Sequence, residues 1–600
     1  MLLLSLLPLL ASSGAVPWSV FRIDCVDAET GGGVPLVQLR TSGYISYYSD
    51  SGGVVAFDEP GMLGLAVFFT VLTDGYEVLG TPVNAPASDP GVLLRTVAGG
   101  RATVRLRRTQ PAQRLFRLTG GGLYRDTVLA GGAPPVAEPL LGSAAVLGQD
   151  SVMAAPYKGE VFWFFGDTEC PAGPRSTDCQ HYGRFTTGAT SPLPGATSPA
   201  GGATPPSLAY FASTNASDPG GMAPGGLPDA ALLAQWNPTL DAPHGRAMLA
   251  GPGQPPLFNA STWLGSLTVL RDAASGEQRM YATYVCPDGH PDHLFGLAQW
   301  DDGAQVFRPA AGAAGYKMRY SGAQAVQVQR PADGAWVYYA SAFAMARAPA
   351  TFGGLEDPRQ YEYFTPCAAA DAGGCDTRKM TAADWGWKRS DLDGRPGGVS
   401  YFGPAQEAAA IAAGRLRPQD ARMQVTDVAT QRPVGGVLSR GSVNWNAHRG
   451  AYVLVADRMD ASGGAGDGTS RFGEIYLCEA PSLTGPWTEC ATVATHNRTG
   501  TSCYNPQQLP WLDEDGGRVL HFACTWTSMT SGAAGKADRA CRFDDYGGVD
   551  CAVAVPRYEY NNLVFKLDVG KLAAEHGWTA GAAGAPTTTT TTTTTRNPER

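Results

Sequence analysis

Short, wholly apolar runs, each opened by a polar turn containing glycine, recur along the chain. The runs are Val161-Phe162-Trp163-Phe164-Phe165 after Gly159, Met280 to Val285 after Gly276, and Trp336 to Ala340 after Gly334. Tyr452 to Val455 follows Gly450, and Val519 to Phe522 follows Gly516 and Gly517. Runs of this length, rich in β-branched and aromatic residues, predict strands buried on both faces. Each follows another candidate strand, such as Ser266 to Leu270 or Ala323 to Val328. Five copies of one hairpin predict radial repetition, as in a β-propeller, where neighbouring sheets bury faces that a single sheet leaves bare. The predicted fold class is all-β: an N-terminal β-sandwich followed by a five-bladed β-propeller.

The propeller is expected over 120–572. Two of its hairpin intervals are roughly double the others, and should carry insertions. One holds the Pro/Gly/Thr-rich stretch around Pro192 to Pro199; the other holds a short helix within Pro404 to Leu416. Before it, 19–108 forms its own β unit, with a hairpin written out from Tyr47 to Phe57. The order of motifs from Asp27 to Tyr76 resembles the carboxypeptidase-regulatory-like, transthyretin-like β-sandwich, which implies a small non-catalytic module beside an extracellular enzyme or adhesin. Residues 580–600 hold a run of threonines, Thr587 to Thr595, and read as a disordered tail.

Composition narrows the class. Only 16% of residues are charged, while 76 glycines and 45 prolines favour many short strands and turns over long helices. Net charge is −9 with no basic run, so no nucleic-acid partner is expected. Residues 1–15 read as a signal peptide: an apolar stretch too short to span a bilayer, followed by small residues. No membrane span is expected elsewhere, and the chain is expected to be secreted or at the cell surface. The 12 cysteines fit export, since no C-x-x-C pair favours zinc. Expected disulfides are Cys170–Cys179, Cys367–Cys375, Cys478–Cys490, Cys503–Cys524 and Cys541–Cys551, with Cys25 and Cys286 unassigned. Sequons at Asn215, Asn259 and Asn497 belong to the same compartment. A loop with Asp288, His290, Asp292 and His293 reads as polar rather than metal-binding, and no cofactor is expected.

The densest chemical signal is Gly148-Gln149-Asp150 followed by Phe164-Phe165-Gly166-Asp167-Thr168. A hairpin sets Asp150 and Asp167 level at one end of the first blade. Two carboxyl groups in unlike surroundings are what glycosidic hydrolysis uses, one as acid and one as base or nucleophile. The other reading is an Asp capping its own turn. Polar residues on other candidate inner strands are Arg440, Asn444, Trp445, Asn505 and Gln507, which with Gln149 offer donors, acceptors and an aromatic face for a sugar. Their alternative role is to satisfy backbone groups. Trp385 and Trp387 serve either as a lid or as buried anchors.

These motifs, together with Glu474-Ile475-Tyr476-Leu477, Thr484-Gly485-Pro486-Trp487 and Tyr504-Asn505-Pro506-Gln507, resemble the five-bladed propeller glycoside hydrolases, arabinanase- and furanosidase-like. The resemblance implies hydrolysis of a polysaccharide or glycan by acidic residues on inner strands. It departs from that family in offering no assignable glutamate in a middle blade: Glu356 falls in an insertion and Glu474 on an outer strand. Only Asp150 and Asp167 are therefore carried over as catalytic. A non-catalytic glycan-binding or matrix protein remains the alternative. The sequence is silent on oligomeric state.

Overall fold

The computed structural model describes residues 20–579, apart from 82–89, 137–147, 167, 170–186, 195–204, 211–262, 273, 286–294, 304–305, 311–324, 331–333, 341, 369–374, 376–378, 391–398, 400, 435–437, 460–471, 496–501, 528–541, 544–548 and 551–559. The chain divides into two units: 1–72 with 78–107 and 124–134, and 73–77 with 108–123 and 135–600.

The first unit contains two sheets. In one, Phe21–Asp27 lies between antiparallel Val54–Phe57 and parallel Arg101–Arg108. In the other, Ser46–Tyr48, Gln38–Thr41, Ala66–Leu72 and Gly91–Arg95 pair in that order. Leu39, Phe69, Val71 and Val92 are buried, and the rings of Phe57 and Phe69, one from each sheet, come within 6.2 Å. Cys25 is a free thiol buried in the central strand of the first sheet, and burial pushes its pKa up.

The second unit holds five antiparallel sheets of matching order. Sheet I is Val152–Tyr157, Glu160–Phe165, Thr187–Pro192 and Ala209–Tyr210; sheet II is Trp263–Arg271, Gln278–Val285, Phe295–Asp301 and Val306–Pro309. Sheet III is Ala325–Arg330, Gly334–Ala340, Ala344–Pro349, Glu362–Thr365 and Gly386–Arg389. Sheet IV is Leu438–Asn446, Ala451–Met459, Phe472–Ala480 and Glu489–Ala494, edged by a parallel Thr426–Asp427. Sheet V is Ser502–Gln508, Val519–Thr527, Tyr560–Asp568 and then Gln113–Arg117. The first strands of successive sheets lie against one another, and that of sheet V lies against that of sheet I, so the order of neighbours returns on itself. We call these the inner strands. Because Gln113–Arg117 belongs to sheet V, the unit reaches back beyond the expected start at 120.

Each glycine turn separates the first strand of its sheet from the second. Gly159, Gly276, Gly334, Gly450 and Gly516 all take positive φ, between 58° and 92°, where a Cβ would be strained. The apolar runs are two-faced for a simple reason. In Glu160–Phe165, Val161, Trp163 and Phe165 pack with Phe116, Leu509 and Val564 of sheet V and its flanks, while Phe162 and Phe164 face Leu264, Met280 and Trp300 of sheet II. In Gly334–Ala340, Val337 and Tyr339 pack towards sheet II, and Tyr338 and Ala340 towards sheet IV. Alternate residues of a strand point to opposite faces, so a sheet between two sheets needs both sets apolar.

Trp385 is an anchor: it stacks on Phe364 at 5.5 Å and donates its indole N–H to the carbonyl of Asp420 at 3.1 Å. Trp387 lies over the same core, beside Tyr338 and Phe364. The helix expected after 404 spans Pro404–Ala412. Among the described residues, no helix is long and apolar enough to cross a membrane.

Candidate active site

The inner strand of sheet I begins beside the end of its hairpin partner. Val152 pairs with Phe165, and the Gly166 N–H reaches the carbonyls of Asp150 and Ser151 at 3.2 and 3.0 Å. Gly166 suits this approach, since a Cβ there would stand 3.0 Å from the Cβ of Asp150, a tight contact. Asn562, on the third strand of sheet V, fixes the backbone by donating to the carbonyls of Gln149 and Asp150 at 3.1 and 3.2 Å.

Among the described residues, the Asp150 carboxylate is held on one side only. Its Oδ1 accepts from the backbone N–H and the hydroxyl of Ser151, from Tyr504 and from Thr525. Its Oδ2 has no partner among the described residues. Burial and the neighbouring Asp150 push the Tyr504 pKa well up, so this hydroxyl stays a donor at ordinary pH.

A second line of contacts runs from Ser151 across sheet V to sheet IV. Asn505 donates its amide to the Ser151 hydroxyl and accepts from Arg440 Nη1 at 2.8 Å. The Arg440 backbone N–H donates to Asp457 Oδ1 at 2.7 Å. Asn505 holds this bridging position at a φ of 51°, at an irregularity in the pairing of its strand between Tyr504 and Gln507. Left-handed backbone in a non-glycine residue is costly and concentrates at functional sites. The disulfide Cys503–Cys524 joins the first two strands of sheet V beside this point. Tyr504 and Thr525, two of the donors to Asp150, are the next residues along the chain from its two ends.

Asp457 carries no exposed surface, and its Oδ2 is buried without a hydrogen-bond partner among the described residues. Burial raises its pKa to about 6 against the pull of the Arg440 N–H and charge. The sequence reading missed this group. Its signal was present: an acid at the close of an apolar second strand, as Asp167 follows Phe165 in sheet I.

The remaining expected site residues are placed as follows. Asp167 lies outside the described residues. Gln149 is fully buried and accepts from the Tyr210 hydroxyl at 2.9 Å. Gln507 is buried and donates to the Ala154 carbonyl at 3.1 Å. Asn444 donates to Gln508 at 3.1 Å, and Trp445 packs edge-on against Tyr452 at 5.2 Å. Asn446, on the same strand, reaches the carbonyl of Gly517 in the hairpin turn of sheet V, at the opposite end from Arg440. A strand advances about 3.3 Å per residue, so four positions separate Arg440 from Asn444 by roughly 13 Å. The structure therefore brings Asp150, Arg440 and Asn505 together and sets Gln149, Asn444, Trp445 and Gln507 to satisfying buried groups or packing.

Other acids are engaged elsewhere: Glu356 accepts from the Tyr281 hydroxyl at 2.7 Å, and Glu474 lies 3.5 Å from Arg458. Three expected disulfides are formed, Cys367–Cys375, Cys478–Cys490 and Cys503–Cys524. The Cys170–Cys179 and Cys541–Cys551 pairs and the loop with His290 and His293 lie outside the described residues.

No profile of a known protein family matches the chain, and no curated protein matches it. Solved structures that match it include glycoside hydrolases. One is an exo-β-1,3-galactanase from Phanerochaete chrysosporium with β-1,3-galactotriose, at 9% identity and a TM-score of 0.31, covering 71% of this chain and 63% of the other. Another is a family 43 β-xylosidase/α-arabinofuranosidase from a compost microbial metagenome with xylotriose, at 11% and 0.29, covering 70% and 98%. A third is an exo-1,5-α-L-arabinanase from a bovine ruminal metagenomic library, at 8% and 0.27, covering 70% and 93%. The chain thus spans less than two-thirds of the galactanase's length.

Proposed function

We propose that this is a secreted hydrolase of glycosidic bonds, its five sheets the blades of a five-bladed β-propeller and its site at the end where the inner strands begin. The observation that carries the reading is Asp150. Four donors on Oδ1 fix the carboxylate, while Oδ2 has no partner among the described residues, an arrangement suited to a general base or nucleophile. Asp167 is the second acid, supported by its place at the close of the same hairpin in the sequence. Arg440 and Asn505 supply donors and an acceptor for sugar hydroxyls. The three disulfides and the apolar leader support an oxidising, extracellular setting. The first unit is read as a non-catalytic, transthyretin-like β-sandwich.

The test begins with secreted protein assayed against a panel of polysaccharides. On any glycan the wild type cleaves, Asp150→Asn and Asp167→Asn should each lower turnover by about 10²–10⁴-fold, the usual contribution of an acid or base, with thermal unfolding nearly unchanged. Full activity in both variants would falsify the assignment.

One observation favours a second reading, a non-catalytic glycan-binding protein. None of the five inner strands contains an Asp or Glu, so the ring itself supplies no further acid. Two catalytic carboxyl groups stand roughly 5–10 Å apart in glycosidases. A crystal structure placing no second acid within that range of Asp150 favours binding over catalysis.

A further inference from the structure

The same strands that lack acids are not electrically neutral. Their sequences carry three charged residues, all arginine. Arg271 and Arg330 are the last residues of their strands, at the hairpin ends. Arg440 is the third residue of its strand, at the end where Asp150 lies. We propose that the site takes a glycan carrying a carboxylate, a uronic-acid type of sugar, and that Arg440 holds that carboxylate. The inference rests on the reading of this site as a glycan site.

The guanidinium is poised for such a partner. One nitrogen, Nη1, is spent on Asn505 Oδ1, which fixes the plane of the group. No ion pair engages it among the described residues. The carboxyl nearest in the network, Asp457, bonds the Arg440 backbone N–H rather than the side chain. Among the described residues, Asp150 is linked to Arg440 through Ser151 and Asn505. A half-buried guanidinium with a fixed plane and free N–H donors matches the two oxygens of a carboxylate, and partial burial limits screening by salt. The substituent carboxylate of a uronic acid sits on the sugar ring away from the anomeric carbon. A sugar whose anomeric carbon faces Asp150 therefore has its own negative charge directed elsewhere, and Arg440 is the cation there to meet it.

The experiment measures binding and cleavage of acidic oligosaccharides by the full secreted chain. The probes are oligogalacturonate, glucuronoxylan oligosaccharides and alginate oligomers, each beside its carboxyl-reduced counterpart. At least one acidic probe should bind roughly tenfold more tightly than its reduced form, as one charge-assisted contact provides. Arg440→Gln should erase that difference by weakening the acidic form more than the reduced form, and Arg440→Lys should restore part of it. Thermal unfolding of each variant confirms a folded chain. The proposal is overturned if no acidic probe outbinds its reduced form, or if Arg440→Gln weakens both forms equally. Tight, charge-dependent binding without cleavage sinks the hydrolase reading and keeps this one. Cleavage of neutral glycans with indifference to the carboxylate does the reverse.

Discussion

Asp150 and Asp457 are two carboxyl groups of one network that meet opposite conditions. Among the described residues, Asp150 has donors on one oxygen and none on the other, whereas Asp457 is buried, with one oxygen unpartnered. The ordinary value for such a carboxyl is 3.8, and burial lifts Asp457 to about 6. Between those values the folded chain keeps a proton that the unfolded chain has released. The contribution of Asp457 to stability therefore falls as pH rises from about 4 to about 6 and is flat above. Two pKa units correspond to about 3 kcal/mol. Asp457→Asn should remove this slope, so that the variant gains on the wild type across that window. Chemical denaturation at intervals from pH 4 to pH 7 measures it, and a constant difference across the window would contradict the assignment.

At the scale of the element, sheet V shows how a strand pair positions chemistry. Its inner strand breaks register between Tyr504 and Gln507, which turns Asn505 towards Ser151 and Arg440 while Gln507 goes to the Ala154 carbonyl. The disulfide Cys503–Cys524 ties this irregular stretch to Val519–Thr527. Replacing both cysteines by serine should cost about 2–4 kcal/mol, as expected for releasing a loop of this size. Because Tyr504 and Thr525 adjoin the bridge, turnover should fall even at temperatures where the variant is fully folded. A loss of stability with turnover unchanged would show that the bridge staples the sheet without positioning the donors to Asp150.

At the scale of the whole unit, the last sheet is completed by a strand from far earlier in the chain. Gln113–Arg117 pairs with Tyr560–Asp568, placing Phe116 opposite Val564. Phe116 is buried with Trp163 and Phe165 of sheet I, so one residue serves both the sheet and its junction with the next. Arg114, also buried, lies between the rings of Tyr76 and Trp526 at 5.4 and 4.7 Å. Phe116→Ala should therefore destabilise by about 3–5 kcal/mol. Phe352→Ala is the control, because that residue packs only partly buried at the edge of its cluster and should cost less. Thermal denaturation compares the two, and equal losses would show that the closing strand adds nothing beyond ordinary packing.

The five hairpins were legible in the sequence because their signal is local. A left-handed turn needs glycine, and a sheet covered on both faces needs consecutive apolar residues; Gly159 with Val161 to Phe165 displays both within seven positions. The pairing of Asp150 with the end of that hairpin follows from the same local geometry, as does the disulfide across Cys478 and Cys490, which face each other directly on neighbouring strands. What only the tertiary structure decided are meetings between sheets distant in sequence. Tyr504 and Thr525 reach Asp150 from more than three hundred residues away, and Arg440 reaches Asn505 across a boundary between sheets. No periodicity encodes such contacts. Polar residues on one strand look alike in sequence, yet the rise of the strand sends Arg440 to one end of sheet IV and Asn446 to the other. The place of Asp457 near the end of an apolar strand was legible, but its burial was not, since that is set by the sheets packed around it rather than by its neighbours along the chain.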